Sequence, residues 1–180
     1  MIIEIGTSDF RTDAGKVDGL FIEPVKEHFD RLPKCRKENV AVSNVEGEIS
    51  IYYIPSKVID KESLPQWVRG CNSINEPHPT LVDLGYSKHV VCDTVKVVRI
   101  KSLIDKHKIT KIDVLKIDTE GHDTVILNDF LDTVDILPRK IQFESNILSN
   151  NMDIIKLVER LESKKYKCTQ IKFDMVCELS

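Results

Sequence analysis

The stretch Asp113-Val114-Leu115-Lys116-Ile117-Asp118-Thr119-Glu120-Gly121-His122-Asp123 holds the densest chemistry in the chain. It is an apolar, strand-like run with a lysine inside it and acidic groups at its end. An ammonium within such a run needs a carboxylate partner, and Asp118, Glu120 and Glu4 are the candidates. Lys116 then serves either as half of a structural ion pair or in the chemistry itself. Gly121 permits a turn into a following helix, and His122 stands at that helix's N-terminus, where the positive dipole end lowers an imidazole pKa. His122 is the expected general base, with Asp118 and Glu120 as nearby alternatives. Asp118, Glu120, His122 and Asp123 are also the residue types of a magnesium site. Adjacent side chains around one turn do not all converge, so no metal is expected.

A second constellation lies near the start. The apolar run Ile2-Ile3-Glu4-Ile5 stops at Gly6, and Gly19-Leu20-Phe21-Ile22 stops at Glu23-Pro24. Gly6 lets the backbone turn sharply and approach a ligand. Glu23 follows less than about 20 residues later, where a carboxylate can accept both hydroxyls of a ribose. The Gly6-Thr7-Ser8-Asp9-Phe10 turn lacks the further glycines of a dinucleotide fingerprint, and no GxxxxGK loop occurs. A pyrophosphate is thereby disfavoured. An adenosine cofactor without phosphate is favoured, and S-adenosylmethionine meets that description.

The elements that must position these groups alternate. Strands are expected at 2–5, 19–23, 39–43, 48–54, 94–100, 112–117 and 140–144, with helices at 25–32, 102–107, 123–131 and 153–161. Ser102 is a candidate cap for the second helix, and Asn151 or Asp153 for the last. This pattern implies an α/β fold with a doubly wound, mostly parallel sheet and right-handed crossovers. Two closing strands, 166–173 and 175–179, imply an antiparallel C-terminal edge pair. In such sheets ligands bind beyond the carboxyl ends of the strands, here Glu4–Gly6, Glu23, Ser43–Asn44, Asp118–Glu120 and Glu144. From about 55 to 93 periodicity fades, which marks a functional insertion within a single domain spanning 1–180.

A net charge of −3 over 180 residues offers no basic excess for nucleic acid. With 41% hydrophobic and 31% charged residues the composition is that of an ordinary globular protein. Neither a leader nor a membrane-spanning run is expected, and the expected location is cytoplasmic. The five cysteines are scattered and never spaced as CxxC, so neither a zinc site nor a disulfide framework is expected, and a reducing compartment fits.

Taken together, Ile3-Glu4-Ile5-Gly6-Thr7-Ser8-Asp9-Phe10, Ile22-Glu23-Pro24, Ala41-Val42-Ser43-Asn44 and Leu115-Lys116-Ile117-Asp118-Thr119-Glu120-Gly121-His122-Asp123 resemble the FkbM family of S-adenosylmethionine-dependent methyltransferases. The segment Leu64-Pro65-Gln66-Trp67-Val68-Arg69-Gly70-Cys71-Asn72-Ser73-Ile74 resembles the family's loop before the mid-chain strand. The resemblance implies a class I methyltransferase, Rossmann-like fold, with Glu4 and Gly6 near the methionine end of the cofactor and Glu23 on its ribose. It places Ser43 and Asn44 beside the adenine and Asp118 near the sulfonium. Thr7, Ser8, Asp9 and Pro24 complete the expected cofactor set. The chain departs from the usual pattern at Ser8 and Phe10, where many methyltransferases keep glycines.

The implied activity is O-methylation of a hydroxyl on a sugar or other small metabolite. The expected partner is thus a small-molecule or glycan acceptor, with no nucleic acid and no membrane, for a monomer or homodimer. The insertion should supply the acceptor pocket, with Trp67 stacking on a flat apolar face, Arg69 meeting an anionic acceptor, and Asn72, Ser73 and His78 offering polar contacts. Two other classes stay open: a binding protein on a decayed methyltransferase fold, and a nicotinamide-dependent dehydrogenase.

Overall fold

The computed structural model describes residues 1–8, 12–74, 76–146 and 148–180. Asp9 and Phe10 of the first turn lie outside them. Ten strands and six α-helices follow in order: β1 Ile2–Ile5, β2 Gly19–Ile22, α1 Lys26–Arg31, β3 Lys37–Glu38, β4 Ala41–Val42, β5 Gly47–Tyr53, α2 Ser56–Lys61, α3 Pro79–Asp83, β6 Val91–Val98, α4 Ile100–Lys106, β7 Val114–Ile117, α5 Asp123–Thr133, β8 Lys140–Glu144, α6 Asn151–Ser163, β9 Tyr166–Ile171 and β10 Asp174–Leu179. A 3₁₀ turn, Gln66–Gly70, follows α2, and a second, Ser87–His89, precedes β6.

The larger sheet has seven strands in the order β3-β2-β1-β7-β8-β10-β9. Strands β3, β2, β1, β7 and β8 run parallel, while β10 pairs antiparallel with β8 and with β9. The chain turns outward from β1 through β2 to β3, then returns to build β7 and β8 on the other side. The strand order therefore reverses between β1 and β7, the place where open parallel sheets hold ligands.

Side chains alternate across each strand. Ile3, Ile5, Leu20, Ile22, Leu115, Ile117, Ile141 and Phe143 share one buried cluster with Leu103, Ile126, Phe130 and Leu157, so α4, α5 and α6 cover that face. On the other face Ile2, Phe21 and Val114 pack with Ala14, Phe29 and Leu32, which brings the 12–14 turn and the end of α1 over the sheet. Lys116 also lies on this second face. Its partner is Glu4, at 2.6 Å, its register neighbour on β1, and not Asp118 or Glu120. The second oxygen of Glu4 accepts from the Thr12 hydroxyl and the Asp13 N–H, at 2.8 and 3.1 Å, tying the turn back to the strand.

Several local expectations are corrected by tertiary pairing. Of the stretch expected as one strand at 39–43 only Ala41–Val42 is strand, β4, and it belongs to a second sheet of order β4-β6-β5, while β3 just before it, Lys37–Glu38, joins the large sheet. β4 and β5 are not partners, because the long β6 lies between them, parallel to one and antiparallel to the other. Ser102 does not cap α4; its hydroxyl donates to Glu46. α6 is capped by Asn150, whose Oδ1 accepts from Met152 N–H. Cys168 and Cys177 are joined in a disulfide, contrary to the reading of the cysteines as unpaired. They face each other across β9 and β10, a proximity created by strand register and invisible to spacing. That pairing removes the cysteine argument for a reducing compartment. Among the described residues no helix is long and apolar enough to cross a membrane.

The insertion carries its own small core of Ile54, Ile59, Val68, Cys71 and Leu81, with Val58, Leu64, Tyr86 and Val90 packed around it.

Gly6 is required by strand packing. Its φ is +79°, and a Cβ there would stand 1.8 Å from the Asp118 carbonyl oxygen. A Gly6→Ala variant should lose at least about 2 kcal/mol of stability, from the left-handed backbone plus the clash, as read by urea unfolding.

Candidate active site

The register sets the site. Ile5 pairs with Ile22 and with Ile117, and Ile117 with Phe143. The next residue on each strand is Gly6, Glu23, Asp118 and Glu144, so four strand ends reach one level. All four line a cavity of about 220 Å³, together with Thr7, Ser8 and Pro24 from the first two strand ends, Val40–Val42 and Ile51 from the smaller sheet, and Trp67, Gly70, Asn72 and Ile74 from the insertion.

At one end Glu23, buried, is clamped by backbone donors. Ser8 N–H donates to one oxygen at 2.7 Å and Val25 N–H to the other at 2.8 Å. Asn39 holds the same segment by donating to the Glu23 and Pro24 carbonyls. Beside it, Thr7 Oγ1 and Ser8 Oγ are buried without a hydrogen-bond partner among the described residues, and Thr7 is only 2% exposed. Buried hydroxyls are ordinarily satisfied. This end thus offers two unmatched polar atoms and a fixed carboxylate toward a ligand.

At the other end Asp118, Glu120 and Glu144 each offer a carboxylate oxygen, all within 4.8 Å of one another. The sequence reading set Asp118, Glu120, His122 and Asp123 side by side; of these His122 and Asp123 stay out of the group. What it lacked was Glu144, from the neighbouring strand, which was visible as an acidic strand end but had no role assigned. Burial, then the charges of Glu120 and Asp118, push the Glu144 carboxyl up to about 9. Burial, then Glu120 and Asp123, push Asp118 up to about 7. Asp118 is exposed at the residue level and lines the cavity. Such a group of carboxylates suits a cationic centre, whether a metal ion or a positively charged ligand.

Asp123 builds the turn and does not enter the cavity. It is fully buried, accepting from Thr119 N–H at 2.9 Å, from the Thr119 hydroxyl and from Glu144 N–H at 2.8 Å. Burial pushes its carboxyl up to about 6.

His122 does not line the cavity. It is buried, its Nε2 lies 2.9 Å from the Ser43 hydroxyl, and burial lowers its pKa. Ser43 in turn sits 3.2 Å from Asn44 Oδ1, and neither residue lines the cavity; Val40, Ala41 and Val42 do so in their place. Glu4 and Lys116, joined to each other, also lie outside the lining. Of the five insertion residues expected to meet an acceptor, Trp67 and Asn72 line the cavity, with Trp67 44% exposed. Ser73 exchanges backbone hydrogen bonds with Tyr52, and Arg69 accepts from Asn72 through its carbonyl. His78 touches the acidic cluster through Glu120. The apolar walls Ile51 and Ile74 gave no signal in sequence beyond ordinary hydrophobicity.

A cavity at the reversal point of a mostly parallel α/β sheet, with a clamped carboxylate at one end and clustered acids at the other, defines an enzyme-like small-molecule site. The family model described as the methyltransferase FkbM domain matches residues 5–168, and the chain belongs to that family of methyltransferases. Comparison with curated proteins gave no match.

The raised carboxyls make stability depend on pH. Asp118 and Glu144 bind protons more tightly folded than unfolded, where 3.8 and 4.5 are their ordinary values. Their contribution is full below those values and is lost as pH rises through about 7 and about 9. The ligand-free protein should therefore lose stability between about pH 5 and pH 9. Glu144→Gln should flatten the upper part of that decline, measured by denaturant unfolding at a series of pH values.

Proposed function

We propose that the protein is a class I, S-adenosylmethionine-dependent O-methyltransferase acting on a hydroxyl of a sugar or another small metabolite. The observation that carries this reading is the single cavity running from the Glu23 carboxylate to the Asp118–Glu120–Glu144 group. The strand order, with its reversal at β1 and β7 and an antiparallel β10 beside β8, supports a Rossmann-like arrangement in one domain spanning 1–180. The insertion at about 55–93 supplies the acceptor wall.

The residues present fit the cofactor. Glu23 would take the ribose hydroxyls, since both its oxygens are held in place by backbone N–H groups. Val40, Val42 and Ile51 would flank the adenine, while Thr7 Oγ1 and Ser8 Oγ are unmatched hydroxyls for the polar remainder. The acidic group faces the end where a sulfonium's positive charge would be welcome. When bound, S-adenosylmethionine supplies an activated methyl group.

Methyl transfer to a hydroxyl is an in-line displacement, accelerated chiefly by alignment and by exclusion of water. Trp67, Asn72 and Ile74 close the acceptor side. The acceptor's proton goes to a carboxylate of the acidic group, and Asp118, at about 7, is matched to neutral operating pH. His122, turned toward Ser43, is left to a supporting position beneath the site.

Calorimetry with S-adenosylhomocysteine tests the cofactor assignment. Saturable heat is expected, with the affinity falling at least about tenfold in Glu23→Gln, the scale of one lost charge-assisted hydrogen bond. Silence with this ligand beside a clear thermal shift with NAD would reverse the assignment. Transfer of a labelled methyl group to a panel of simple glycosides tests the base. Asp118→Asn should cost at least about a hundredfold in turnover, and His122→Ala should leave the shape of the pH profile unchanged.

A further inference from the structure

Glu120 occupies a left-handed turn position, with φ of 53°. Its side chain is held from outside the β7 strand end. His78, on the insertion and 6% exposed, places Nε2 at 2.9 Å from Glu120 Oε2. The other ring nitrogen fixes the tautomer. Thr80 N–H donates to His78 Nδ1 at 3.1 Å, capping α3, so Nδ1 holds a lone pair and Nε2 carries the hydrogen. Nε2–H therefore donates to Glu120. Neither nitrogen is left to take a proton from a substrate, so His78 is neither the base nor a direct acceptor contact.

We propose that His78 is a positioning residue that holds the Glu120 carboxylate at the acceptor end of the cavity, so that the insertion sets the geometry of the acidic group. The purpose of this arrangement rests on the methyl-transfer reading above; the contact itself does not. The insertion is then more than an acceptor wall, because its order is tied to the floor of the site through one ring. Glu120 from the turn, Asp123 from α5 and Asp174 from β10 act on both Asp118 and Glu144. Asp118 acts on Glu144, and Lys116 from β7, paired with Glu4, acts on Asp118. The Cys71 thiol of the insertion is raised by burial, then by Glu120 and Glu144. After burial, Glu120 is the largest influence raising both carboxyls. Releasing it should make Asp118 a stronger acid.

Two substitutions separate the jobs of the two nitrogens. His78→Asn keeps an acceptor for the α3 cap but is too short to reach Glu120. His78→Gln reaches Glu120 with an N–H donor but gives up the cap. Carboxyl-carbon NMR titration of the ligand-free protein reads Asp118 directly and needs no acceptor. In His78→Asn the Asp118 midpoint should fall by at least about half a pH unit with the thermal midpoint preserved. In His78→Gln the Asp118 midpoint should stay at its wild-type value while the thermal midpoint drops. In the wild type, long-range nitrogen–proton NMR should show His78 as the Nε2–H tautomer, and Glu120→Gln should move its Nε2 resonance.

An Nδ1–H tautomer, or an Asp118 midpoint identical in wild type and His78→Asn, would overturn the proposal. So would an equal fall in His78→Asn and His78→Gln, since that would report general loosening. Should both variants unfold, the tautomer and its response to Glu120→Gln decide the matter. A protein that passes these tests yet binds no S-adenosylhomocysteine would sink the cofactor assignment and leave the His78–Glu120 arrangement standing.

Discussion

Strands β1, β2, β7 and β8 run parallel with Ile5, Ile22, Ile117 and Phe143 in register, and this pairing delivers Gly6, Glu23, Asp118 and Glu144 to one level of the sheet. None of the four is near another in sequence except through those strands. The apolar residues below them, all buried, make a slip of register costly, because a shift by one residue would turn every inward side chain outward. The site therefore inherits its precision from the core. Gly6 shows how tight the fit is: the neighbouring strand end comes so close that no side chain can stand there.

The same geometry creates an electrostatic problem and contains it. Bringing Asp118, Glu120 and Glu144 together raises the free energy of their charged forms, and the ligand-free protein answers by retaining protons. Nearby charges that could have joined the group are instead used to build the scaffold. Glu4 neutralises Lys116 on the far face, and Asp123 is wholly occupied with the turn and with Glu144's N–H. The acids left facing the cavity are those a cationic ligand would meet.

Much of this was legible in the sequence where one residue's surroundings come from its own strand. The ends of β1, β2, β7 and β8 were marked by the change from apolar to acidic or glycine residues, and the 140–144 strand was placed without error. Glu23 and Asp118, both marked as strand ends, line the cavity for the same reason. What could not be read depended on partners distant in the chain. Nothing near His122 announces that Ser43 will take its ring, and nothing near Lys116 chooses Glu4 over two acids closer in sequence. Glu144 was seen as a strand end, but only the pairing of β7 with β8 sets it against Asp118. The Cys168–Cys177 bond is another product of register, nine residues apart in the chain and opposite each other in the sheet.

The separate apolar cluster of the insertion has an evolutionary consequence. Ile54, Ile59, Val68, Cys71 and Leu81 hold that segment together without drawing on the core beneath the sheet. Loops that fold around their own nucleus tolerate lineage-by-lineage rewriting, since a changed side chain on their cavity face need not disturb the strands whose ends line the cavity. Side chains on that face, such as Trp67 and Ile74, can thus change while the strand ends beneath them keep their register.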